Sequence, residues 1–397
     1  MSTKDGRDDM YWLSHRHCNT TFIAAGPLPL TLYISSSLPP PTFFFLHDAP
    51  KLEQVILECR IDNFGLSSHV PSPNLDGEQI PFAPSFTALG RLTIPAFWLI
   101  DMQLSSPDPE WFSKLNCLKM DVMVTKFEFP QSGQYSLTNF LRCLSELRVP
   151  ASIFLQDLYL SYEYSVDNLN SADRTHPAYT FSGTDTYFKS VSKDFIAHFY
   201  ALANVVSGFM LSFEDCEIPN ISHLQYARNI CLENIVDDQG QSLRNVLAAW
   251  EGSCLTTYSC PPFNDTFLSW LRSVQEYIRI DTEGNRVSIK AYPAVNLSSL
   301  QIDDCVNFTA PALMEVVKFR SDNHAAYLEL GKAGSDKSLN TDSIDSVSVT
   351  GRGPPFTLED MSLHWLYDKI EILTWNTEDD EGGEHWYQQG DEERCFD

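Results

Sequence analysis

The sequence predicts an α/β fold, an irregular solenoid with a parallel sheet on its concave face and helices or loops on its convex face. Residues 297–320, LSSLQIDDCVNFTAPALMEVVKFR, contain the clearest unit. Leu300 and Ile302 alternate onto one face of a short strand, and Cys305, small and apolar, can turn inward where the strand ends. Thr309 can then cap a helix whose apolar side returns to the same core.

The spacing inside this unit, L-x-x-L-x-L-x-x-C followed by an apolar helix, is typical of a cysteine-containing leucine-rich repeat. Leu211, Phe213 and Cys216 repeat the Leu300, Ile302 and Cys305 pattern residue for residue. Apolar residues with a similar spacing predict these further strand cores: Leu30, Leu32 and Ile34; Leu52, Val55 and Leu57; Leu92 and Ile94; Leu115, Leu118 and Met120; Leu144, Leu147 and Val149; Leu155, Leu158 and Leu160; Ile230, Leu232 and Ile235. The stretches CLTTYSC, EYIRID, RVSIKA and SIDSVSVTG predict the remaining strands.

Helical periodicity lies between several of these strands. Residues 187–206 have apolar side chains at helical intervals, namely Val191, Phe195, Phe199, Leu202 and Val206. SLRNVLAAW and DTFLSWLRSV predict two more helices, and Thr357 caps a predicted closing helix. The apolar residues Leu363, Leu366 and Ile370 of that helix would cover the last repeat.

The predicted organisation has three parts. Residues 1–21 form a flexible N-terminal segment, residues 22–376 form the solenoid, and residues 377–397 form an acidic disordered tail.

Composition and charge narrow the classes of function. Hydrophobic residues make up 43% of the chain, which is enough for a sizeable core. A formal net charge of −26 disfavours nucleic acid or an anionic membrane as the main partner, because phosphate groups would be repelled. The same charge favours a protein target with a basic surface. The most apolar run is interrupted by prolines and the cysteines show no paired framework, so we expect no membrane span, reduced thiols and a cytoplasmic or nuclear location.

No motif predicts catalysis, a cofactor or a metal. GRGPPF lacks the glycine spacing and the Lys-Ser/Thr pair of a phosphate loop, and there is neither a G-x-S-x-G elbow nor an H-E-x-x-H motif. The HRHC stretch near the N-terminus has no second ligand cluster at zinc-site spacing. The adjacent acids Glu214–Asp215 and Asp303–Asp304 should diverge, one toward solvent and one toward the loop. We therefore predict a protein that is not an enzyme, with an enzyme on an α/β scaffold as the alternative, since a triad can be built from remote residues.

A binding function is expected to reside on the sheet face. In a repeat solenoid, the residues between the core leucines point outward there. The predicted partner-binding residues are Tyr159, Ser212, Glu214, Glu233, Gln301 and Asp303. This set leans acidic, with Tyr159 as an aromatic anchor.

Three stretches carry a resemblance to a known family: PLPLTLYI near the start, the unit at residues 297–320, and VSVTGRGPPFTLEDMSLHWL near the end. They resemble the leucine-rich-repeat portion of the F-box proteins of mushroom-forming fungi, over roughly residues 22–375. The resemblance implies that the repeats hold the target of an SCF ubiquitin ligase, whose adaptor subunit binds the F-box.

The residues before the first predicted strand contain no opening motif of the form LP-x-E-[IVL]-L. The predicted function is therefore a protein–protein interaction module resembling the substrate-recognition repeats of an F-box protein, without a visible F-box. The alternative is a truncated F-box-derived remnant with no ligase role. An SCF adaptor is expected as a partner only if an F-box is encoded upstream.

Overall fold

The computed structural model describes these residues of the chain: 11–15, 18–23, 30–36, 52–59, 90–105, 121–146, 152–164, 179–182, 185–206, 209–219, 227–237, 240–248, 250–280, 286–330, 341–354, 365–366, 369–378 and 384–389. Tertiary contacts divide the chain into two compact units. The first unit comprises residues 1–164, 173–186 and 201–204, and the second comprises residues 165–172, 187–200 and 205–397.

The first unit is built around five parallel strands that pair in chain order, β3 to β7. β1 and β2 precede them: β1 pairs antiparallel with β2, and β2 pairs antiparallel with β3. The elements of this unit are β1 (Tyr11–His15), β2 (Cys18–Ile23), β3 (Leu30–Ser36), β4 (Leu52–Cys59), β5 (Arg91–Pro95), α1 (Ala96–Ser105), β6 (Asp121–Phe129), α2 (Leu137–Glu146), β7 (Ser152–Leu160) and β8 (Tyr179–Ser182).

Strand alternation places the core of this unit. Leu92 and Ile94 of β5 are buried and align with Val122 and Val124 of β6, because every second residue of a strand points to the same face. α1 follows β5 directly and buries Trp98 against this core. Full burial of an aliphatic side chain such as that of Leu92 contributes about 1.5–3 kcal/mol to the free energy of folding.

A left-handed residue at the same register position in both strands shifts the alternation of β6 and β7. Lys126 and Asp157 both have left-handed backbone, with φ of 44° and 54°. The residues that follow them, Phe127 and Leu158, are aligned and buried. The left-handed residue in each strand explains why Leu155 and Leu158, three apart, face the same core.

The second unit contains six parallel strands that also pair in chain order, β11, β12, β13, β16, β17 and β18. β19 closes this array as an antiparallel neighbour of β18. The remaining elements of the chain are β9 (Asp185–Lys189), α3 (Lys193–Leu202) and β10 (Ala203–Val206), whose residues belong to both units, then β11 (Met210–Glu214), β12 (Asn229–Glu233), α4 (Gln241–Leu247), β13 (Cys254–Tyr258), α5 (Asp265–Leu271), β14 (Gln275–Ile280), β15 (Arg286–Ala291), β16 (Ser299–Asp303), α6 (Ala310–Leu330), β17 (Ser346–Gly351), β18 (Ile372–Glu378) and β19 (Glu384–Gln389).

Two aligned rows of side chains form the sheet side of this unit's core. The first row is Leu211, Ile230, Leu255, Leu300, Val347 and Leu373, and the second is Phe213, Leu232, Thr257, Ile302, Val349 and Trp375; all are buried. The unit predicted at residues 297–320 is confirmed. Thr309 caps α6, because the backbone N–H of Ala312 donates to its hydroxyl at 3.3 Å.

The predicted α/β fold with parallel strands in sequential order and helices between them is therefore confirmed. In the described ranges, none of the helices has both the length and the apolarity that a membrane span requires.

One predicted strand is a helix. Leu144, assigned to a strand in CLSELRVP, lies in α2. Leu137, Phe140, Leu141 and Leu144 are all buried and are spaced at i, i+3, i+4 and i+7, which is the period of a helix and not of a strand. The other two core residues predicted for this strand, Leu147 and Val149, lie outside the described residues. The same holds for a second predicted strand, with Leu115, Leu118 and Met120.

The helix predicted at residues 187–206 is shorter than expected. α3 covers only Lys193–Leu202, and the strands β9 and β10 flank it. Its start is set by Ser192, whose hydroxyl accepts from the backbone N–H of Phe195 at 3.3 Å. Upstream, Thr186 and Phe188 are buried at strand spacing.

EYIRID and RVSIKA do not join the parallel array. They form β14 and β15, an antiparallel pair in a two-stranded sheet of their own.

The predicted N-terminal segment, residues 1–21, contains β1 and part of β2, and the predicted tail, residues 377–397, contains β19. Thr357 and Leu363 lie outside the described residues, whereas Leu366 and Ile370 are buried.

Candidate protein-binding surface

Each of four neighbouring strands in the second unit ends in the same sequence of four environments. The strand's last residue points outward, the next has left-handed backbone, the third is buried, and the fourth is exposed. The four sets are Glu214, Asp215, Cys216 and Glu217; Glu233, Asn234, Ile235 and Val236; Tyr258, Ser259, Cys260 and Pro261; and Asp303, Asp304, Cys305 and Val306. We call this arrangement the strand-end turn.

The left-handed residue of each strand-end turn extends the hydrogen-bond ladder by one bond. Asp215 donates its N–H to the carbonyl of Glu233 at 3.1 Å, and Asn234 donates to Tyr258 at 2.8 Å. Their φ values are 53° and 49°, a conformation that Asn and Asp adopt more readily than most residues because their short polar side chains bond locally. Each turn is thereby fixed to the next strand.

The buried position is a thiol in three of the four turns. Cys216 donates to the carbonyl of Phe188 at 3.6 Å, and Cys260 donates to that of Leu232 at 3.3 Å. Burial raises the pKa of Cys216 to about 11 and that of Cys260 to about 12, and it also raises the pKa of Cys305. These side chains are therefore protonated packing groups and not nucleophiles.

The outward residues of the four turns form a continuous row. Glu214, Glu233, Tyr258 and Asp303 are aligned across β11, β12, β13 and β16, so neighbours are about 4.8 Å apart. We call these four residues the outward row. Tyr258 is 37% exposed, and the three carboxylates are half-buried.

A second row, closer to the strand starts, is polar and uncharged. It consists of Ser212, Cys231, Thr256 and Gln301, which are aligned on the same four strands. The hydroxyl of Thr256 donates to Gln301 Oε1 at 3.1 Å. This row offers hydrogen-bonding groups beside the charged one.

Negative charge accumulates along the outward row. Lys189 forms an ion pair with Glu214, and that hydrogen bond raises the lysine's pKa. Burial raises the pKa of Glu233, and repulsion from Glu214 and Asp215 adds to the effect. Among the described side chains, Glu233 has no ion-pair partner.

The acidic residues at the end of β16 have divided roles. The carboxylate of Asp304 accepts from the backbone N–H of Arg352 at 2.8 Å and lies 3.6 Å from that residue's guanidinium. It also raises the pKa of Tyr258 through its charge. Asp303 remains on the strand's outward face. Both carboxylates approach Gly351, since a Cβ placed there would lie 2.4 Å from Asp304 Oδ1 and 2.7 Å from Asp303 Oδ1. The predicted divergence of these two acids therefore stays a prediction, as does that of Glu214 and Asp215.

Tyr159 belongs to the first unit, where it lies on β7 and is 38% exposed.

A separate polar contact in that unit involves Asp101 of α1. Its Oδ1 accepts from the Tyr135 hydroxyl at 2.8 Å and from the Gln134 amide at 3.1 Å, whereas its Oδ2 is buried without a hydrogen-bond partner among the described residues. Burial raises the pKa of Asp101.

The structure brings five of the six predicted binding residues together on one face of the second unit: Ser212, Glu214, Glu233, Gln301 and Asp303. Their contact with a partner stays a prediction. Sequence reasoning missed Tyr258, Lys189 and the exposed Val236 and Val306. The signal for Tyr258 was its position two residues before Cys260, which matches Asp303 before Cys305.

Within the described residues, no three His, Cys, Asp or Glu side chains are grouped closely enough to hold a metal ion. Comparison with known proteins identifies no relative: no protein family, curated protein or solved structure matches the chain.

Proposed function

We propose that this chain is a protein–protein interaction module and that the outward row contacts its partner. The observation that supports this is the alignment of three carboxylates and one tyrosine on adjacent parallel strands. A partner segment crossing the strands would meet all four side chains. Tyr258 supplies an aromatic contact, and tyrosine is enriched among residues that dominate binding energy.

The chemistry of the row supports binding over catalysis. Acid–base catalysis by a carboxylate pair needs two carboxylates available to the substrate, but Glu214, the carboxylate aligned next to Glu233, is paired with Lys189. A basic partner would be attracted by the chain's net charge of −26 and steered to this face.

The resemblance to fungal F-box proteins supports a narrower role. In that role the face would hold the target of an SCF ubiquitin ligase inside the cell. Coprecipitation of the SCF adaptor subunit with the product of the complete gene tests it, and absence of the adaptor would favour the alternative of a remnant with no ligase function.

Affinity capture with the immobilised chain tests the binding function. The face variant carries Glu233→Lys and Asp303→Lys. The matched control carries Asp322→Lys and Glu329→Lys on the exposed side of α6, which changes the net charge equally. Circular dichroism checks that both variants fold.

We expect partners recovered by the wild type and the control to be lost from the face variant. Recovery of the same partners by all three proteins would contradict the assignment of the contact to this face.

A further inference from the structure

We propose, resting on the binding function above, that the second unit binds a basic amphipathic helix of its partner, lying across the strand ends. The apolar stripe of that helix would cover a ledge beside the outward row. The ledge consists of Val236, Pro261 and Val306, the exposed fourth residues of three consecutive strand-end turns.

The ledge is an exposed aliphatic stripe. Val236 is 64% exposed and Val306 is 57% exposed, and Pro261 between them is also exposed. Single apolar residues on a surface are ordinary. These three, however, follow the paired strands β12, β13 and β16 at the same position, so their side chains form one row.

The outward row runs parallel to the ledge, three residues earlier in each repeat. Glu233 and Asp303 take part in none of the ion pairs among the described side chains, and Lys189, which offsets part of the charge at Glu233, is itself paired with Glu214. Burial and like charge raise the pKa of Glu233, and a cation placed beside it would relieve that repulsion. A partner therefore needs basic groups next to its apolar ones.

The spacing of the two rows favours a helix over an extended segment. Neighbouring strands are about 4.8 Å apart, and residues three or four apart on a helix surface are about 5–6 Å apart. In an extended chain, residues on one side repeat about every 6.6 to 6.8 Å. Over two steps, such residues are out of register with the ledge residues by about 4 Å. A helix with apolar residues at i, i+4 and i+7 stays aligned with all three ledge residues.

Binding of three fluorescent peptides of equal length, measured by anisotropy, tests the proposal. The first is a helical Lys/Leu peptide with leucines at i, i+4 and i+7, the second has the same composition in strict alternation, and the third is helical Lys/Ala with equal charge. We expect the first to bind at least about tenfold more tightly than each of the others, because only it can cover the ledge.

Two variants of the full chain locate the contact. Val236→Ser with Val306→Ser should reduce the affinity for the helical Lys/Leu peptide to that for Lys/Ala and leave the latter unchanged. Leu328→Ser is the matched control, because Leu328 is 62% exposed on α6 away from the ledge. Its affinities should equal those of the wild type.

Charge removal is the second arm. Glu233→Gln with Asp303→Asn should weaken binding of all three peptides, whereas Asp322→Asn with Glu329→Gln should not. Equal affinity for the helical and alternating peptides, or equal effects of the ledge and control variants, would overturn the proposal. Partner capture by the wild type together with either result would leave the binding function intact and reject only the helical partner.

Discussion

Gly351 at the end of β17 provides a test of the strand-end geometry. Its φ is 66°, and a Cβ placed there would lie 2.4 Å from Asp304 Oδ1. A non-glycine residue in left-handed conformation costs about 1–2 kcal/mol. Displacing the carboxylate also breaks its hydrogen bond to the backbone N–H of Arg352, and a hydrogen bond to a charged group contributes about 1.5–3 kcal/mol. We expect Gly351→Ala to lower the free energy of unfolding by roughly 2.5–5 kcal/mol.

Gly240 is the matched control for Gly351. Its φ is 65°, and the nearest atom to an added Cβ is Pro262 Cβ at 3.4 Å, an ordinary contact. Gly240→Ala should therefore cost only the backbone strain, about 1–2 kcal/mol. Urea denaturation followed by circular dichroism measures both variants. Equal losses would refute the role of Asp304.

A double-mutant cycle separates strain from collision. In a background that carries both Asp303→Ala and Asp304→Ala, the two carboxylate oxygens 2.7 Å and 2.4 Å from the added Cβ are gone. Gly351→Ala should then cost no more than Gly240→Ala does in the wild type. An unchanged loss in that background would show that the backbone conformation alone requires glycine at position 351.

Three further predictions concern buried and charged residues. Leu300→Asp places an unpaired carboxylate at a position that is 0% exposed and should lower the free energy of unfolding by several kcal/mol. Gln301→Asp, on the exposed side of the same strand, should change it by about 0.5 kcal/mol or less. Similar urea midpoints for the two variants would exclude Leu300 from the core. Burial, and after it the neighbouring carboxylates, raise the pKa of Glu233 above 4.5 in the folded protein. The folded protein therefore binds more protons than the unfolded chain does. The contribution of Glu233 to the free energy of unfolding is present at low pH and is lost as pH rises through the folded pKa. Melting temperature should therefore fall less between about pH 4 and pH 7 in Glu233→Gln than in the wild type, and parallel curves would contradict this. Asp101→Asn keeps the acceptor for the Tyr135 hydroxyl and removes a buried charge. Asp101→Ala leaves that hydroxyl unpaired at a cost of about 1–3 kcal/mol, so at neutral pH it should lose more stability than Asp101→Asn. Equal denaturation midpoints of the two variants would contradict the argument.

The sequence predicted the second unit well because its strand-end turns have a local signature. In β11 and β16, two alternating apolar residues are followed three positions later by a buried cysteine. Alternation then assigned Glu214 and Asp303 to the outward face without any tertiary information. The same reasoning applied to CLTTYSC would have selected Tyr258, because Cys260 marks the same turn.

The first unit was harder to predict because its strands break the two-residue period. The left-handed residues Lys126 and Asp157 each shift the alternation. Aspartate adopts this conformation more readily than lysine does, but a single aspartate inside a strand pattern does not predict such a shift. The end of the helix Leu137–Glu146 was assigned to a strand because the spacing of Leu144 and Leu147 in the sequence fits both a repeat and a helix face. Short apolar patterns of this kind are decided by packing partners, which the sequence does not display.

The strand-end turn separates stability from recognition. Its buried position tolerates little change, since Cys260 and Ile235 are fully buried and large-to-small changes at such sites cost about 2–5 kcal/mol. Val236, the next residue after Ile235, is 64% exposed, where substitutions usually change stability by about 0.5 kcal/mol or less. The left-handed residue lies between the outward and the buried position in each turn. Outward and ledge residues can therefore vary from turn to turn, as Glu, Tyr and Asp do in the outward row, while the core that holds them in register stays fixed.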